Sequence, residues 1–535
     1  MSSGTATLPR AAARGRAPAL PPVVIAATLA AAYLAVAPMS ADLAAQAYRA
    51  GLFDRAGWLL WDNAWYGGHP LPGYSVLFPP LGALLGVRVT GALSAVAAAA
   101  LFGALVRGAF PARRAAVGAA WFAAAIAAQL LTGRLTFLLG VAVGLAALVA
   151  MRRGLSAVAV ALAAVTTLAS PVAGAFVALA GIAWVLGARR GAGAALAAGA
   201  VAPGLALAAL FPEGGVEPFV PSSFWPAFAA LTLIAALLPR QQRVLRAGAA
   251  LAAAACLLAF ALPTPLGGNA ARLGALFAGP LLACVPLEGR RRAIALAAVP
   301  LLAYWQLMPP VRDAVTAAGD PSTQAGYYAP LEAELSRRPL GRVEVPFTRS
   351  HWEARYLAER VPLARGWQRQ LDRERNALFY EGRLTAGRLH RWLDANAVRW
   401  VAVPDVALDP SARTEAALVR AGSVPGLHEV WRDRHWRLFA VAGAPPLAQG
   451  AARLVALGPA AFALDARRAG KALVRIRWSP YWALTAGAGC VRRAPGGWTE
   501  VQAVRPGRLR VAQRFSVWRG LRRAADDRCG RLQPV

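Results

Sequence analysis

The sequence predicts an α-helical polytopic membrane domain of about eleven transmembrane helices, followed by an outer α/β domain and a small β-sandwich. Three observations carry that reading. The 535-residue chain is 57% hydrophobic with a mean hydropathy of +0.45, more apolar than a soluble protein of this length ordinarily is. Its apolar residues gather before Met308, and most of its charge follows. Within the apolar half, arginine clusters recur at every second gap between apolar runs.

The apolar runs are Val23–Met39, Val89–Val106, Ala115–Leu131, Leu135–Met151, Leu155–Ala169, Val172–Leu186, Ala194–Phe211, Phe224–Leu238, Ala247–Leu262, Leu273–Val285 and Ala293–Met308. Several fall short of the roughly 20 residues that span a bilayer comfortably. The arginines support the count. With the N-terminus cytoplasmic beside Arg10, Arg14 and Arg16, the cytoplasmic connections carry Arg107, Arg113 and Arg114; Arg152 and Arg153; Arg189 and Arg190; Arg240, Arg243 and Arg246; and Arg290, Arg291 and Arg292. A missed helix would break this alternation from that point on. The remaining connections face outward, as does everything after Pro309. The chain thus divides into a cytoplasmic tail (1–22), a transmembrane domain (23–308) with a large outer loop (40–88), an outer α/β domain (309–442), and an outer β-sandwich with a tail (443–535). Val23–Met39 reads as the first membrane helix rather than a cleaved signal, and the location is the plasma membrane, N-terminus inside and C-terminus outside.

Past Pro310 the pattern becomes that of a soluble protein. Arg342–Phe347, Val398–Val403, Leu427–Trp431 and Trp436–Val441 read as strands and Leu384–Asn396 as a helix. Ala472–Trp478, Trp498–Val504 and Arg508–Phe515 alternate apolar and polar residues, as strands of an antiparallel sandwich do.

The net charge of +32 does not indicate a nucleic-acid partner. Lys471 is the only lysine, and many arginines sit at helix ends, where they set topology. Of four cysteines, Cys256 and Cys284 fall in apolar helices as packing residues. Cys490 and Cys529 fall in the outer region, where an oxidising compartment permits a disulfide. No spacing suggests a metal site and no fingerprint a cofactor.

The residues that could carry chemistry gather on the outer face. Asp42 follows the first helix, where an acid is costly unless hydrated or paired. The loop then runs through Trp58, Trp61-Asp62-Asn63-Ala64-Trp65-Tyr66-Gly67-Gly68-His69-Pro70 and Tyr74 to Pro79-Pro80, dense enough in aromatics and glycine to fold. Asp62 and His69 are its other candidates. Two outward arginines break the inside bias: Arg134, after Gly133, and Arg272, after Gly267-Gly268-Asn269. Arginine suits bidentate contact with phosphate, and equally a structural ion pair with Asp42, Asp62 or Glu213.

This layout resembles the C-type (GT-C) integral-membrane glycosyltransferases, which combine an acid after the first helix, an aromatic outer loop, many helices and an outer C-terminal domain. More closely, it is similar to bacterial PTPS-related membrane proteins and to the membrane proteins that glycosylate lipoteichoic acid. Trp61–Pro80, Gly133–Gly140, Ser170–Phe176, Pro263–Pro280 and Trp352–Asp372 carry the likeness. The resemblance implies transfer of a sugar from a polyprenyl-phosphate donor to a cell-envelope glycan or lipid, with the first-loop acid as general base and no cofactor. Carried over, Asp42 takes the place of that acid, with Asp62 as the second loop acid; Arg272 and Arg134 become candidates for the lipid phosphate, and Asn269 and His69 for substrate contact. Many members have two nearby first-loop acids, whereas here Leu43 follows Asp42 and Asp62 lies far along the loop. Two other classes fit the topology. A transporter or flippase would place polar residues mid-membrane in repeated halves. A non-catalytic envelope-assembly scaffold would work through its outer domain and leave Asp42 dispensable.

Overall fold

In a computed structural model of the chain, residues 21–188 and 190–522 are described. The expected Arg10, Arg14, Arg16, Arg189 and Cys529 lie outside them. Helix α1 (Pro22–Val36) ends where Ala37 adopts a left-handed conformation (φ 47°) before Pro38, which disfavours helical geometry in the residue preceding it. The chain then turns 80° into α2 (Ala41–Ala56). Sequence patterning leaves α2 inside a loop because its polar residues, among them Asp42, Gln46, Arg49, Asp54 and Arg55, interrupt any apolar run. A two-residue hairpin, β1 (Trp61–Asp62) with β2 (His69–Pro70), and α3 (Phe78–Leu85) complete the loop.

Ten further helices follow: α4 (Val87–Val106), α5 (Ala112–Ala128), α6 (Leu135–Arg152), α7 (Ser156–Ala169), α8 (Pro171–Gly187), α9 (Arg190–Leu210), α10 (Pro221–Leu237), α11 (Arg243–Ala261), α12 (Arg272–Cys284) and α13 (Gly289–Ala317). With α1 they fall on the eleven apolar runs. Six of them are long and apolar enough to cross a membrane: α4, α5 with its 3-10 extension, α6, α9, α11 and α13. A seventh span arises if α1 and α2 act as one bent unit. Helices α7, α8 and α10 are apolar but shorter. Large apolar side chains on the outside of the bundle, such as Leu205, Leu258 and Leu301, are more than half exposed, as lipid-facing residues are. Helix α13 does not stop at Met308. It runs through Pro309 and Pro310 to Ala317, past the change in composition.

The C-terminal region opens with α14 (Ala325–Ser336). Its first sheet joins β3 (Arg342–Glu344), β4 (Val398–Pro404), β5 (Leu427–Arg432) and β6 (Trp436–Val441) in the order β3-β4-β6-β5, with β3 parallel to β4 and the other pairs antiparallel. Helices α15 (Glu353–Tyr356), α16 (Arg369–Arg375), α17 (Ala386–Ala395) and α18 (Arg413–Arg420) surround it. Eight antiparallel strands follow: β7 (Ala448–Gly450), β8 (Ala452–Gly458), β9 (Ala461–Ala466), β10 (Gly470–Arg477), β11 (Trp482–Ala486), β12 (Gly489–Arg493), β13 (Trp498–Ala503) and β14 (Gly507–Gln513). They form the sheets β12-β13-β10-β7 and β11-β14-β9-β8, whose inward residues, including Phe462, Val474 and Val511, share one core. A short α19 (Val517–Arg522) closes the described chain. Cys490 is disulfide-bonded, while Cys256 and Cys284 are free and buried.

The α/β domain is organised around a buried charge cluster. Arg365 donates to both oxygens of Asp372, at 2.7–3.2 Å, and to Glu415 at 3.3 Å, with Glu344 at 3.7 Å. The rings of Phe347 and Phe379 cover its guanidinium at about 4 Å. Three carboxylates around one arginine in a closed core cannot all ionise cheaply. Burial and the adjacent acid drive Glu344 well up, and burial pushes Glu415 to about 7. The folded state therefore holds a proton that the unfolded chain releases near 4.5. This stabilisation is complete below that value and is lost as pH rises through about 7. Amides of β3 and β4, followed by hydrogen exchange and corrected for intrinsic rate, should open more readily at pH 8 than at pH 5. Glu415→Gln should flatten that difference. Equal protection at both pH values in the parent chain would contradict it.

Candidate functional site

Asp42 lies in the first turn of α2, where an acid also meets the positive end of the helix dipole. The C-terminal α/β domain fixes that turn. Trp352 donates its indole N–H to Ser40 O at 3.2 Å, and Trp367 donates to Ala41 O at 2.9 Å. Across from it, α5 ends in a 3-10 turn (Gln129–Thr132), Gly133 turns left-handed (φ 73°), and Arg134 precedes α6. Arg134 Nε donates to Asp42 Oδ2 at 2.5 Å, with both side chains partly open to solvent. Gly133 makes that approach possible, because a Cβ there would overlap Ser40 Oγ and Leu43 N.

Arg272 begins α12 directly after the 3-10 turn Gly267–Ala271, which contains the half-buried Asn269. It makes no ion pair among the described residues. Its guanidinium lies 5.5 Å over the Phe137 ring, within the fields of Arg134, Asp42, Tyr74 and Glu217. Tyr74 connects these groups. Gln46 Nε2 donates to its hydroxyl at 2.9 Å, and its ring meets Trp367 edge-on at 6.1 Å. Glu217, from the loop before α10, is raised by burial against the lowering fields of Arg369, Arg272 and Arg373. Asp42, Arg134, Arg272, Tyr74 and Glu217 therefore form one polar cluster, and α16 of the outer domain brings Arg369 and Arg373 close to it.

Beneath the cluster lies an apolar cleft of about 520 Å³ between α4, α6, α8, α10, α11 and α12. Gly140, Ala173 and Leu273 line its end near Arg272, and Arg152 and Gln242 line the other. Phe176, in the cleft wall, meets edge-on the Phe137 ring that Arg272 covers.

The structure does not bring Asp62 or His69 to this cluster. Both are fully buried inside the first loop. Asp62 accepts from Tyr48 OH at 2.9 Å and from Ala64 N at 3.0 Å, and burial raises its pKa. His69 stacks on Trp65 and has Glu213 at 3.2 Å and Asp62 at 3.9 Å. They hold the loop's interior together, and neither has a face open to a substrate. The expected ion-pair alternative for Arg134 is realised with Asp42. Sequence reasoning missed Gln46, Glu217, Arg369 and Arg373. The i,i+4 spacing of the two arginines on α16 was the available signal, but one face of a short helix does not tell which cavity it meets. Among the described residues, no group of three or more His, Cys, Asp or Glu could hold a metal ion.

Comparison with known proteins finds no matching family model, no matching curated protein and no matching solved structure.

Gly133→Ala should destabilise the chain by more than the roughly 1–2 kcal/mol of a left-handed alanine alone, because the added methyl also meets α2. Gly382→Ala is the control: its φ is 67°, but nothing lies within 4 Å of its Cβ position. Equal shifts in thermal unfolding for the two variants would show that the close approach at Gly133 carries no weight.

Proposed function

We propose that the protein is a GT-C-like glycosyltransferase that moves a sugar from a polyprenyl-phosphate donor to a cell-envelope acceptor at the outer membrane face. One observation carries the reading: Arg272, which has no ion pair among the described residues and feels the Asp42 carboxylate, immediately precedes Leu273 in the wall of an apolar cleft. The cleft would take the prenyl chain and Arg272 the donor phosphate, with Asn269 beside it. The acceptor oxygen attacks the anomeric carbon while the bond to the phosphate oxygen breaks. Asp42 accepts the hydroxyl proton, and Arg272 stabilises the charge left on the lipid phosphate. Arg134 orients the Asp42 carboxylate through its Nε and keeps the second oxygen available.

In this reading all eleven apolar helices span the plasma membrane, the N-terminus is cytoplasmic and the C-terminal domains lie outside. The arginine alternation supports this, as does the gathering of Arg114 with Val285 O and of Arg152 with Leu105 O at the far end of the bundle from Asp42.

The Asp42–Arg134 contact also suits a non-catalytic scaffold, in which the pair is only structural. Magnitudes separate the two readings. A partly exposed ion pair stabilises by about 0–1 kcal/mol, so its loss should barely lower abundance. Removing a general base typically costs about 10²–10⁴-fold in rate. Purified Asp42→Asn protein should therefore accumulate and unfold like the parent yet lose sugar transfer from polyprenyl-phosphate donors by that factor. Arg272→Ala should mainly raise the donor concentration needed. A well-folded, fully active Asp42→Asn protein would refute the mechanism and leave the scaffold reading ahead.

A further inference from the structure

Arg49 is the least compensated charge in the first outer loop. It sits on the same face of α2 as Asp42 and Gln46, two turns on from Asp42, and is 5% exposed. Nε, Nη1 and Nη2 are all buried without a hydrogen-bond partner. Its guanidinium lies 4.2 Å over the Tyr74 ring and 5.8 Å from the Trp65 ring. Asp62, Glu213 and Tyr48 act on it electrostatically, but no acid reaches ion-pair distance among the described residues. Those acids are engaged elsewhere, Asp62 with Tyr48 and Glu213 with His69. Buried guanidinium donors without partners are costly, and ring faces replace only part of what they lose.

The same arginine lines a cavity of about 300 Å³ that is otherwise almost wholly apolar. Leu52 and Phe53 of α2, Leu168 at the end of α7, and Leu207 and Phe211 at the end of α9 supply its walls, with Phe515 of the outer region. A charged group at one side and a greasy wall formed by helix ends is the lining an amphiphilic anion would need, and basic pockets between membrane helices bind acidic headgroups. The cavity is separate from the larger cleft under Arg272, with which it shares no lining residue.

We propose that this cavity binds one anionic phospholipid of the outer leaflet, its phosphate on Arg49 and part of one acyl chain between the ends of α7 and α9. The site rests on the membrane placement proposed above, not on sugar transfer. Its orientation is that of an ordinary leaflet lipid: the head lies level with α2, and the chain descends past Leu168 and Leu207. A modest rotation of the Arg49 guanidinium away from Tyr74 delivers its donors to the phosphate.

The test uses the full-length protein, delipidated in neutral detergent and exposed to dioleoyl phosphatidylglycerol or dioleoyl phosphatidylcholine, with retained lipid counted by native mass spectrometry. One retained phosphatidylglycerol, favoured over phosphatidylcholine by about tenfold, is the expected result for a single charge-assisted contact. Arg49→Met should abolish the preference. Leu207→Trp should lower retention of both lipids by filling the cavity while leaving Arg49 in place, and it decides the matter should Arg49→Met not fold. Absence of a headgroup preference in the parent chain would overturn the proposal. So would retention that Leu207→Trp leaves unchanged. Displacement by oleic acid or polyprenyl phosphate at equal or lower concentration than phosphatidylglycerol would assign the cavity to a different amphiphile. Because no arm reads sugar transfer, a failed transferase assay and a failed lipid site remain distinguishable.

Discussion

The packing of the C-terminal domains against the helical bundle depends on the burial of the first loop. A folded loop between two domains must satisfy its polar groups with partners other than water, and here several of those partners belong to distant parts of the chain. Trp65 donates to Ala354 O, and Tyr66 donates to Gln368 O. Asn63 is fixed by Pro459 O and Gly458 O, and Gly67 O accepts from Arg477 N. Trp61 enters the sandwich core beside Trp482. Each such hydrogen bond contributes about 0.5–1.5 kcal/mol, and each buried tryptophan or tyrosine removes roughly 150–250 Å² from water. Against that sum the Asp42–Arg134 pair is minor. The loop, with Trp352 and Trp367, holds the start of α2, and the pair is a consequence of where α2 is held.

A chain with 58 basic and 26 acidic residues cannot give every arginine a carboxylate. Aromatic faces and carbonyls take up the difference. Arg477 lies 4.0 Å over Trp498 and donates to Gly496 O at 3.0 Å, while Arg365 combines two phenyl faces with three acids. Arginine's planar, weakly hydrated guanidinium tolerates this, whereas an ammonium would not, which fits a protein whose only lysine is the exposed Lys471. Against this background Arg49 stands apart: it has an aromatic face, no ion-pair or hydrogen-bond partner among the described residues, and a place in a cavity wall. Arg272 likewise has an aromatic face and no ion pair among them, and its neighbour Leu273 lines the larger cleft.

The sequence made the bundle legible because each apolar run is long relative to its connections and the arginines mark alternate ends. Helix α2 was not legible: its buried face is made of Leu43, Tyr48 and Leu52 together with Gln46 and Arg49, which defeats an apolar template. Strands such as β4, β6 and β10 were readable from β-branched and aromatic alternation, whereas β7, β8, β9, β11 and β12 are short or rich in Ala and Gly. Of the site residues, Asp42, Arg134 and Arg272 could be proposed because each violated a rule, an acid at an interface or a cation on the outward side. Asp62 and His69 looked equally suitable by type. Their difference lies in burial, which is set by Trp65, Tyr48 and Glu213, residues that come from three separate segments and meet only in the fold.

The contact between Arg134 and Asp42 bears directly on whether the carboxylate can act as a base. A carboxylate sealed in a bidentate clamp would have no lone pair left for a hydroxyl. Here Arg134 reaches a single oxygen, Oδ2, through Nε alone, and the pair stays partly open to solvent. The other oxygen has no hydrogen-bond partner among the described residues, and Tyr74 and Arg272 lie within the field of the carboxylate. Gly133 contributes by letting the turn before Arg134 press against the start of α2. A one-sided ion pair of this kind orients a carboxylate without consuming it, which is the arrangement the proposed base would need.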